Sequence, residues 1–385
     1  MPHNNTIFHQ ISKLINWSDF EKIVDNHKGN YRVRHFDMKK QFLTMLFAQF
    51  SQSNSLREIE NALQSHHPKL YHIGLCPVKR STLAEANANR PSAVYLEFFQ
   101  QLLSGLTKGR KRHLKDVTRL IDATQFSLPQ GKASWAKADE NKAAVKLHIV
   151  FDPDADLPLF AEMTSALVND ITVGKSIHLE AGATYVFDLG YYSFEWWSKM
   201  NEKGCRFVTR LKSHTKPKII EYLPVEKGTN ILSDAIGRLN NRLSHNRKNP
   251  MADPIRILEV KISTGKILRI VSNDLDSPAS EIAGLYKQRW EIELFFKWVK
   301  QNLKIKHFIG TSKAAIWTQI LIALIAYLLV SKLKKMSHIN FSKTEIMRLI
   351  RVHILEKSPL MSIFKPPKNK NRLQVIQFEL NLTRQ

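Results

Sequence analysis

The sequence predicts an α/β protein in which helices cover the faces of a mixed sheet, preceded by a helical region over residues 1–115. Two observations carry this prediction. In the first region apolar residues recur at helical spacing, as around Phe42 and Ile59. From residue 117 the pattern changes to β-rich segments that alternate with short helical ones, which is typical of a sheet packed against helices.

The helical region includes a segment with the layout of a helix-turn-helix DNA reader. A loop at Gly74–Arg80 precedes STLAEANANR, where Thr82 followed by Glu85 fits a capping box and Ser81 is an alternative N-cap. The side chains expected to face DNA are those of Lys79, Arg80, Thr82, Asn87, Asn89 and Arg90. A plain helical bundle with a solvated polar face explains the same pattern equally well.

The segments from residue 117 to residue 212 follow the order of three strands, helix, strand, helix, strand. We place strands at 117–128, 146–152, 157–167, 183–192 and 205–212, and helices at 174–182 and 193–204. Asp122 lies within the first of these strands, and Asp188 lies near the end of the fourth. This order predicts the mixed sheet on which a site could be built.

Residues 213–272 interrupt the alternation and predict a mainly β insertion, with a hairpin formed by 254–263 and 266–274. Further on, the apolar run Ile316–Val330 has 15 residues, which is short for a membrane span, and it contains two polar residues. We therefore expect a buried core helix there and no membrane partner. Residues 334–385 form a basic C-terminal region that becomes loose around 365–372.

The charge balance indicates a polyanionic partner. Lys and Arg number 58 against 34 Asp and Glu, which gives a formal net charge of +24. Nucleic acid is the usual partner of such an excess, and a merely basic protein is the alternative. Cys76 and Cys205 form no disulfide framework or zinc motif, and the N-terminus lacks the layout of a secretory signal. A reducing, intracellular setting is expected.

One predicted helix, at 286–304, carries a polar stripe. At about 100° per residue, five polar side chains fall within roughly 80° of one another. They are Tyr286, Arg289, Glu293, Lys297 and Lys300, and the neighbouring face carries Ile292, Phe295, Phe296 and Val299. A single carboxylate among cations that can hold phosphates suits chemistry on a nucleic-acid backbone. The alternative for Glu293 is a surface salt bridge with Lys297 at i+4.

Three distant acids, Asp122, Asp188 and Glu293, are the candidates for a metal site. Adjacent parallel strands can bring the two aspartates together, and a helix packed on the sheet can deliver the glutamate. Mg²⁺ takes hard oxygen ligands, and a pair of such ions can cut and join phosphodiesters. Each acid alone has a structural alternative, since Asp188 fits a turn or cap and Asp122 fits a buried, partnered charge.

In this order and context, the acids resemble those of bacterial insertion-sequence transposases of the Asp-Asp-Glu class, in the insertion-sequence-four family. The resemblance rests on IDAT around Asp122, DLGY around Asp188, and the spaced set Tyr286-x2-Arg289-x3-Glu293-x6-Lys300. It covers residues 115–330, and the N-terminal segment resembles the helical domain often found ahead of such cores. Leu189 departs from the pattern, because relatives often carry Arg there.

The resemblance implies an RNase H-like catalytic core at 116–212 and 273–333. Asp122, Asp188 and Glu293 would bind two Mg²⁺ ions, for which Mn²⁺ can substitute. The side chains expected to contact DNA around them are Tyr286, Arg289, Lys297, Lys300, Arg210 and Lys212. The implied reaction is strand nicking, attack by a 3′-hydroxyl, excision through a hairpin end, and insertion.

The implied partners are the DNA ends of a mobile element, target DNA and, in the DNA complex, a second copy of the chain. Two other functions stay open at this point. One is a catalytically silent DNA-binding protein derived from a transposase. The other is an RNase H-like nuclease that cleaves without strand transfer.

Several single residues give weaker signals. His148 could face the metal site, although a lone strand histidine is usually structural. Asp170 could cap a helix, or it could hold a metal-binding residue in position without binding the metal itself. Trp290 and Trp298 flank the polar stripe, where either could stack on an unpaired base, with core packing as the alternative.

Overall fold

The structure is a computed structural model that describes residues 5–108, 117–129, 133–139, 142–240, 248–303, 305, 308–337 and 340–364. The helices are α1 Ile7–Ser12, α2 Trp17–Asn26, α3 Met38–Ser51, α4 Leu56–Ser65, α5 His67–Leu70, α6 Arg80–Asn89, α7 Ala93–Thr107, α8 Asp170–Gly174, α9 Phe194–Glu202, α10 Ala279–Gln288, α11 Trp290–Asn302, α12 Lys313–Ser337 and α13 Lys343–His353. The strands are β1 Thr118–Leu128, β2 Lys137–Asp139, β3 Lys142–Asp152, β4 Leu157–Ser165, β5 Thr184–Phe187, β6 Arg206–Arg210, β7 Lys218–Tyr222, β8 Ile231–Arg238, β9 Ile255–Lys261 and β10 Ile267–Ser272. The segment 365–372, predicted to be loose, lies outside the described residues.

The N-terminal region is helical, as the apolar spacing predicts, and short polar side chains start several of its helices. The Asp37 carboxylate accepts a hydrogen bond from the N–H of Lys40 at the start of α3, and the Ser55 hydroxyl accepts one from Glu58 at the start of α4. The predicted cap of α6 is wrong. That helix begins at Arg80, and Lys79 occupies the N-cap position, so Thr82 lies inside the first turn.

One sheet forms the centre of the molecule. Its strands follow the order β2-β3-β1-β5-β6-β10-β9-β8-β7, and β4 pairs with β3 outside this path. Strands β1, β3 and β4 are antiparallel neighbours, whereas β5 pairs parallel to β1 and β6 parallel to β5. Three antiparallel strands followed by two parallel ones make up an RNase H-like sheet. The predicted fold class is therefore confirmed.

The strand predictions at 117–128, 146–152, 157–167 and 205–212 and the helix prediction at 193–204 hold, with small shifts of their bounds. The strand predicted at 183–192 is shorter, because β5 ends at Phe187 and a 3₁₀ turn follows, and the short strand β2 was not predicted. The helix predicted at 174–182 lies earlier, at Asp170–Gly174, and turns follow it. Asn169 occupies its N-cap position, so the polar pair Asn169-Asp170 starts the helix.

The residues predicted as a β insertion extend the same sheet. Strands β9 and β10 form the predicted antiparallel hairpin, and β10 also pairs antiparallel with β6, the last parallel strand. Strands β8 and β7 then add to the far side of β9. The backbone hydrogen bonds of β6 are satisfied in this way, and the sheet continues beyond the RNase H-like portion.

The helix predicted over 286–304 is divided into α10 and α11 at Arg289. The N–H of Arg289 donates to Tyr286 O at 3.3 Å, and the N–H of Ile292 donates to Arg289 O at 3.2 Å, so i→i+3 bonds form on both sides of the break. Tyr286 therefore belongs to α10, while Glu293 and Lys300 belong to α11. The polar stripe runs across a bend in the chain.

Helix α12 is the central helix of the protein. It is long and apolar enough to cross a membrane, but 83% of its most apolar window is buried inside the protein. It packs against α3, α6 and α7 from the N-terminal region and against β4 and α11 from the rest of the chain. The predicted buried core helix is confirmed, and at Lys313–Ser337 it is longer than the apolar run suggested.

Candidate active site

The alternation of side chains along the strands decides which residues meet. Leu120 and Val186 belong to the hydrophobic cluster on the side of α11 and α12, whereas Ile121 and Phe187 belong to the cluster on the side of α9. Because successive strand residues point to opposite faces, Asp122 shares the face of Leu120, beneath α11.

The pairing of β1 with β5 brings the two aspartates next to each other. Ile121 pairs with Phe187 in the parallel register, and Asp122 and Asp188 are the next residue on each strand. Asp188 begins a short 3₁₀ turn, where its Oδ1 accepts a hydrogen bond from the N–H of Gly190 at 2.8 Å. The turn prediction for Asp188 and the site prediction are therefore compatible, because the second carboxylate oxygen takes no part in that bond.

Gly190 is required by close approach to two carboxylates. A Cβ at this position would lie 2.7 Å from Asp170 Oδ2 and 3.0 Å from Asp188 Oδ1. A larger residue would displace the Asp170 carboxylate and press on that of Asp188. Asp170 is held in turn by Lys146, whose Nζ lies 2.8 Å from Asp170 Oδ1. Asp170 thus supports the turn that presents Asp188.

Arg289 lies between the first and third acids. Its Nη1 is 3.4 Å from Asp122 Oδ2, and its Nη2 is 2.7 Å from Glu293 Oε1. The break between α10 and α11 at Arg289 accompanies this double contact. Glu293 thus pairs with Arg289 at i−4, not with Lys297 at i+4, so the surface salt bridge considered for it is not present.

The electrostatics of Asp122 show that the acids act on one another. Burial first, and then repulsion by Asp188 and Glu293, raise the pKa of Asp122 from an ordinary 3.8 to about 7. The N–H of Ala123 and the guanidinium of Arg289 oppose this shift without cancelling it. Three carboxylates from β1, β5 and α11 therefore share one electrostatic site.

Tyr286 and Arg210 complete the buried polar group around Arg289. Tyr286 is buried, and burial raises the pKa of its phenol, while the cations Arg289 and Arg210 act to lower it. The Nε atoms of Arg210 and Arg289 are buried and have no hydrogen-bond partner among the described residues. Two orphaned guanidinium donors beside a cluster of carboxylates suit an anionic ligand such as a phosphate.

The remaining cations of the stripe lie further along α11 and beside β6. Lys300 Nζ is 5.0 Å from the centre of the Phe126 ring, which places it over β1 on the face of Asp122. Lys297 is exposed. Lys212 Nζ lies 4.6 Å from the centre of the Tyr192 ring, close to the end of β6. Lys300 thus lies on the α11 side of the sheet, whereas Tyr192, beneath Lys212, packs against the cluster on the side of α9.

His148 does not face the acids. Its neighbours Leu147 and Ile149 belong to the cluster beneath α11, so His148 points to the opposite face of the sheet. There its ring nitrogens lie 3.2 Å from the Tyr191 hydroxyl and 2.9 Å from Thr164 Oγ1. Burial lowers the pKa of His148 to about 4. It is therefore a neutral structural residue.

The two tryptophans differ in their surroundings. Trp290 is 60% exposed beside Arg289, whereas Trp298 is partly buried with its ring 5.0 Å from that of Tyr327. Core packing accounts for Trp298, and Trp290 is left with an open ring face beside the acids.

The structure separates the N-terminal candidates into two groups. Lys79, Arg80 and Thr82 are exposed at the start of α6. The prediction that Asn87 faces DNA is wrong, because Asn87 is buried against α3, where its Oδ1 accepts a hydrogen bond from Gln41 at 2.8 Å. The sequence spacing predicts the helix α6, but it does not predict that α3 covers the face of α6 that carries Asn87.

Arg90 is also held by the protein. Its guanidinium is half-buried and donates to Gln41 Oε1 at 3.0 Å and to the carbonyl oxygen of Phe36. Burial lowers its pKa. In this conformation the Arg90 side chain connects the loop before α3 to the end of α6. The prediction that Arg90 contacts DNA is therefore wrong for this conformation.

The donor set fits divalent metal ions, although the side chains are not gathered into a finished metal site. Within the described ranges, no three His, Cys, Asp or Glu side chains are close enough to hold an ion. Arg289 contacts two of the three acids and supplies part of the positive charge they need. Carboxylate oxygens are the hard ligands that divalent cations such as Mg²⁺ prefer. Because burial and the neighbouring acids raise the pKa of Asp122, a bound cation would stabilise the ionised form of this carboxylate.

An RNase H-like sheet that carries one acid within β1, a second directly after the parallel strand β5 and a third on a covering helix is typical of enzymes that act on nucleic-acid strands. A family model described as a transposase DDE domain matches residues 113–329, which is more than half of the 385 residues. The chain belongs to this family and is a DNA transposase. Enzymes of the family depend on divalent metal ions, and DNA is their partner.

Individual relatives agree. A protein of Sinorhizobium fredii named as transposase y4zB is 37% identical over 290 residues, which cover 74% of this chain and 80% of that protein. A protein of Geobacillus stearothermophilus, named as the transposase of insertion sequence element IS5377, is 25% identical over 357 residues, or 90% and 91% of the two chains.

Two further comparisons concern the N-terminal region and the fold. A model described as a domain of unknown function (DUF4372) matches residues 3–76. Among solved structures, the piggyBac transposase synaptic complex with hairpin DNA aligns with 94% of this chain and 82% of that one, at a TM-score of 0.49 and 11% identity. So distant a likeness is no basis for inferring function.

Proposed function

We propose that Asp122, Asp188 and Glu293 hold two Mg²⁺ ions, which Mn²⁺ can replace, and that the protein uses them to nick the ends of its element and join them to target DNA. The observation that carries this proposal is the placement of the three carboxylates. Asp122 and Asp188 directly follow paired residues of β1 and β5, and Arg289 contacts both Asp122 and Glu293. When bound, the ions would stabilise negative charge on the attacking and leaving oxygens.

The cations around the acids have separate roles in this proposal. Arg289 and Arg210, whose Nε donors have no partner in the described part of the chain, would bind the phosphate at the cleavage point. Tyr286 contacts Arg289 and would hold its guanidinium in place. Lys300, Lys297 and Lys212 would bind phosphates on either side, and so fix the position of the DNA end.

The partner and the setting follow from the same chemistry. Strand transfer needs two element ends and a target, so we propose that a homodimer assembles on paired ends in the bacterial cytoplasm, on the nucleoid. Asp170 and Lys146 would keep Asp188 in position through the tight turn at Gly190.

The test is cleavage of a labelled duplex copied from the inverted repeats that flank the gene, with Mg²⁺ present. We expect wild type to give both a nicked product and a joined product. Glu293→Gln should abolish both while leaving binding of the duplex intact, since the change removes a metal ligand but not a phosphate contact.

Glu291→Gln is the matched control, because Glu291 lies on the same helix with Asp154 and Asp156 as its charged neighbours instead of the site acids. It should cleave like wild type. Full cleavage by Glu293→Gln would remove Glu293 from the metal site. A nicked product with no joined product from wild type would point to a nuclease.

A further inference from the structure

The helical N-terminal region carries a second basic site. A groove of about 710 Å³ lies between residues 28–36, which connect α2 to α3, and the helix α6. We call it the basic groove and define it by Lys28, Arg32, Arg34 and His35 on the loop, with Thr82 and Asn89 on α6. None of the four loop residues was a candidate from the sequence motifs.

The charges of the basic groove are uncompensated. Lys28, Arg32 and Arg34 are exposed, and none of them has a carboxylate partner in the part of the chain that the structure describes. Glu85 is the one acid among the lining residues. By contrast, Arg119 and Arg256 elsewhere in the protein are each paired with carboxylates at 2.7–3.1 Å. Several like charges kept together against a single acid favour an anionic ligand.

The loop that carries these charges is fixed to the helices beneath it. Asn30 Oδ1 accepts a hydrogen bond from the N–H of Met38 at 2.8 Å, and the N–H of Gly29 donates to Val24 O at 2.8 Å. A Cβ on Gly29 would lie 2.9 Å from Met38 Cγ, so the loop approaches α3 too closely for a larger residue.

Arg90 ties the loop to α6 through the carbonyl of Phe36. The cations are thus presented on a preorganised surface, which lowers the entropy cost of binding a ligand.

Two exposed cations of the loop have an uncommon backbone conformation. Lys28 and Arg32 have φ of 52° and 57°, in the left-handed region that residues other than glycine rarely adopt. Arg32 lies 5.2 Å from the centre of the Tyr31 ring, and Tyr31 is itself 69% exposed. Guanidinium groups displayed in this way match the oxygens of phosphodiesters.

We propose that the basic groove binds the sugar-phosphate backbone of duplex DNA and holds an element end against the first turn of α6. This inference rests on the proposed function, and it adds a DNA contact surface in the helical N-terminal region. The exposed side chains of Lys79 and Arg80, beside the groove, then lie where they can reach the same duplex. The groove supplies position and affinity, since phosphate contacts carry no sequence information.

The test measures the binding of labelled duplexes in the absence of metal, by fluorescence anisotropy at several salt concentrations. One duplex carries the element end, and the other is a scrambled sequence of the same length. Arg32→Gln combined with Arg34→Gln should weaken binding of both by about ten- to a hundredfold and reduce the slope of log K against log salt by about two.

Arg34→Gln alone, at a residue outside the left-handed region, should reduce the slope by about one. Both arginines changed in these variants are exposed, so the variants should keep the wild-type circular dichroism and Tm.

The matched control is Arg57→Gln combined with Arg348→Gln, which removes two exposed arginines outside the groove. It should leave the salt slope unchanged. An unchanged slope in the Arg32 and Arg34 variant, an equal loss in the control, or a loss confined to the element-end duplex would each overturn the proposal. If wild type cleaves element ends while the groove variant binds normally, only this inference fails. If wild type neither binds nor cleaves them, the proposed function fails with it.

Discussion

At the scale of single residues, Arg289 and Asp122 determine the character of the site. Arg289 is closer to Glu293, at 2.7 Å, than to Asp122, at 3.4 Å. Its charge therefore compensates Glu293 more fully, and Asp122 keeps a raised pKa despite the cation beside it. Asp122 is for this reason the acid whose charged form gains most from an added cation.

This raised pKa predicts how metal binding depends on pH. The folded-state pKa of Asp122 is about 7, above its unfolded value of 3.8. Its contribution to stability is therefore fully present below 3.8 and is lost as pH rises through 7. A metal ion needs the ionised carboxylate, so Mg²⁺ should bind about tenfold more weakly at about pH 6 than at about pH 8. Isothermal titration calorimetry measures both constants.

Two other titratable groups, Arg289 and His148, do not account for such a change in the affinity for Mg²⁺. Arg289 keeps its charge over this range, because its neighbours raise its pKa against the effect of burial. His148 lies on the opposite face of the sheet with a pKa of about 4. Asp122→Asn should therefore bind Mg²⁺ weakly, with little dependence on pH. Equal affinities of wild type at the two pH values would contradict the assignment of Asp122 as a ligand.

At the scale of elements, α10 and α11 show what the sequence can and cannot predict. The 3.6-residue period correctly placed Ile292 and Phe295 in the core and the polar stripe beside them. It did not predict the break at Arg289, where the chain bends as the arginine contacts both Asp122 and Glu293. Asp122 comes from a strand far away in sequence, and a local period contains no information about it.

The same reason explains the failures on α6. Asn87 and Arg90 have the composition of a DNA-facing helix, but Gln41 of α3 occupies the space beside both. By contrast, the succession of strands along the chain was predictable, and so were the positions of Asp122 within β1 and Asp188 directly after β5, because each strand shows as a local pattern. The surroundings of Asn87 and Arg90 depend on contacts between elements that are distant in sequence, and a local pattern does not reveal these contacts.

Helix α11 also allows a test of the phosphate contacts along the stripe. Lys300 lies in the last turn of α11 over Phe126, two helical turns beyond Glu293. Lys300→Gln should weaken binding of element ends by about tenfold and reduce the salt slope by about one. Fluorescence anisotropy at several salt concentrations measures both.

Lys287→Gln is the control for this change, because Lys287 is exposed on α10 and lies off the stripe. It should bind like wild type. A salt slope that stays the same in Lys300→Gln would show that Lys300 makes no phosphate contact.

At the scale of the whole molecule, one hydrophobic cluster joins regions that the sequence suggested were separate. It contains Phe42 from α3, Leu120 from β1, Leu324 from α12 and Ile350 from α13. The backbone supports this continuity, because the N–H groups of Ile7 and Phe8 donate to carbonyl oxygens after α13. The helical N-terminal region therefore has no core of its own that excludes α12.

This arrangement has a consequence for DNA binding. The basic groove and the acids lie on regions that pack against the same helix, since α12 contacts both α6 and α11. Duplex bound at the groove is thus held relative to the active site by a packed core instead of a flexible linker. A rigid connection of this kind favours the fixed geometry that strand transfer requires.

A shared core also predicts shared stability. Leu324 is fully buried in the middle of α12, so Leu324→Ala should lower the free energy of unfolding by about 2–5 kcal/mol through lost burial and a new cavity. Because helices on one side and the sheet on the other pack on α12, hydrogen exchange should accelerate together in α3, α7 and β4. Leu294→Ala, at a 60% exposed residue of α11, should change stability by about 0.5 kcal/mol or less. If Leu324→Ala accelerated exchange in the N-terminal helices alone and left β4 protected, the two regions would be independent folding units, and α12 would not couple the groove to the active site.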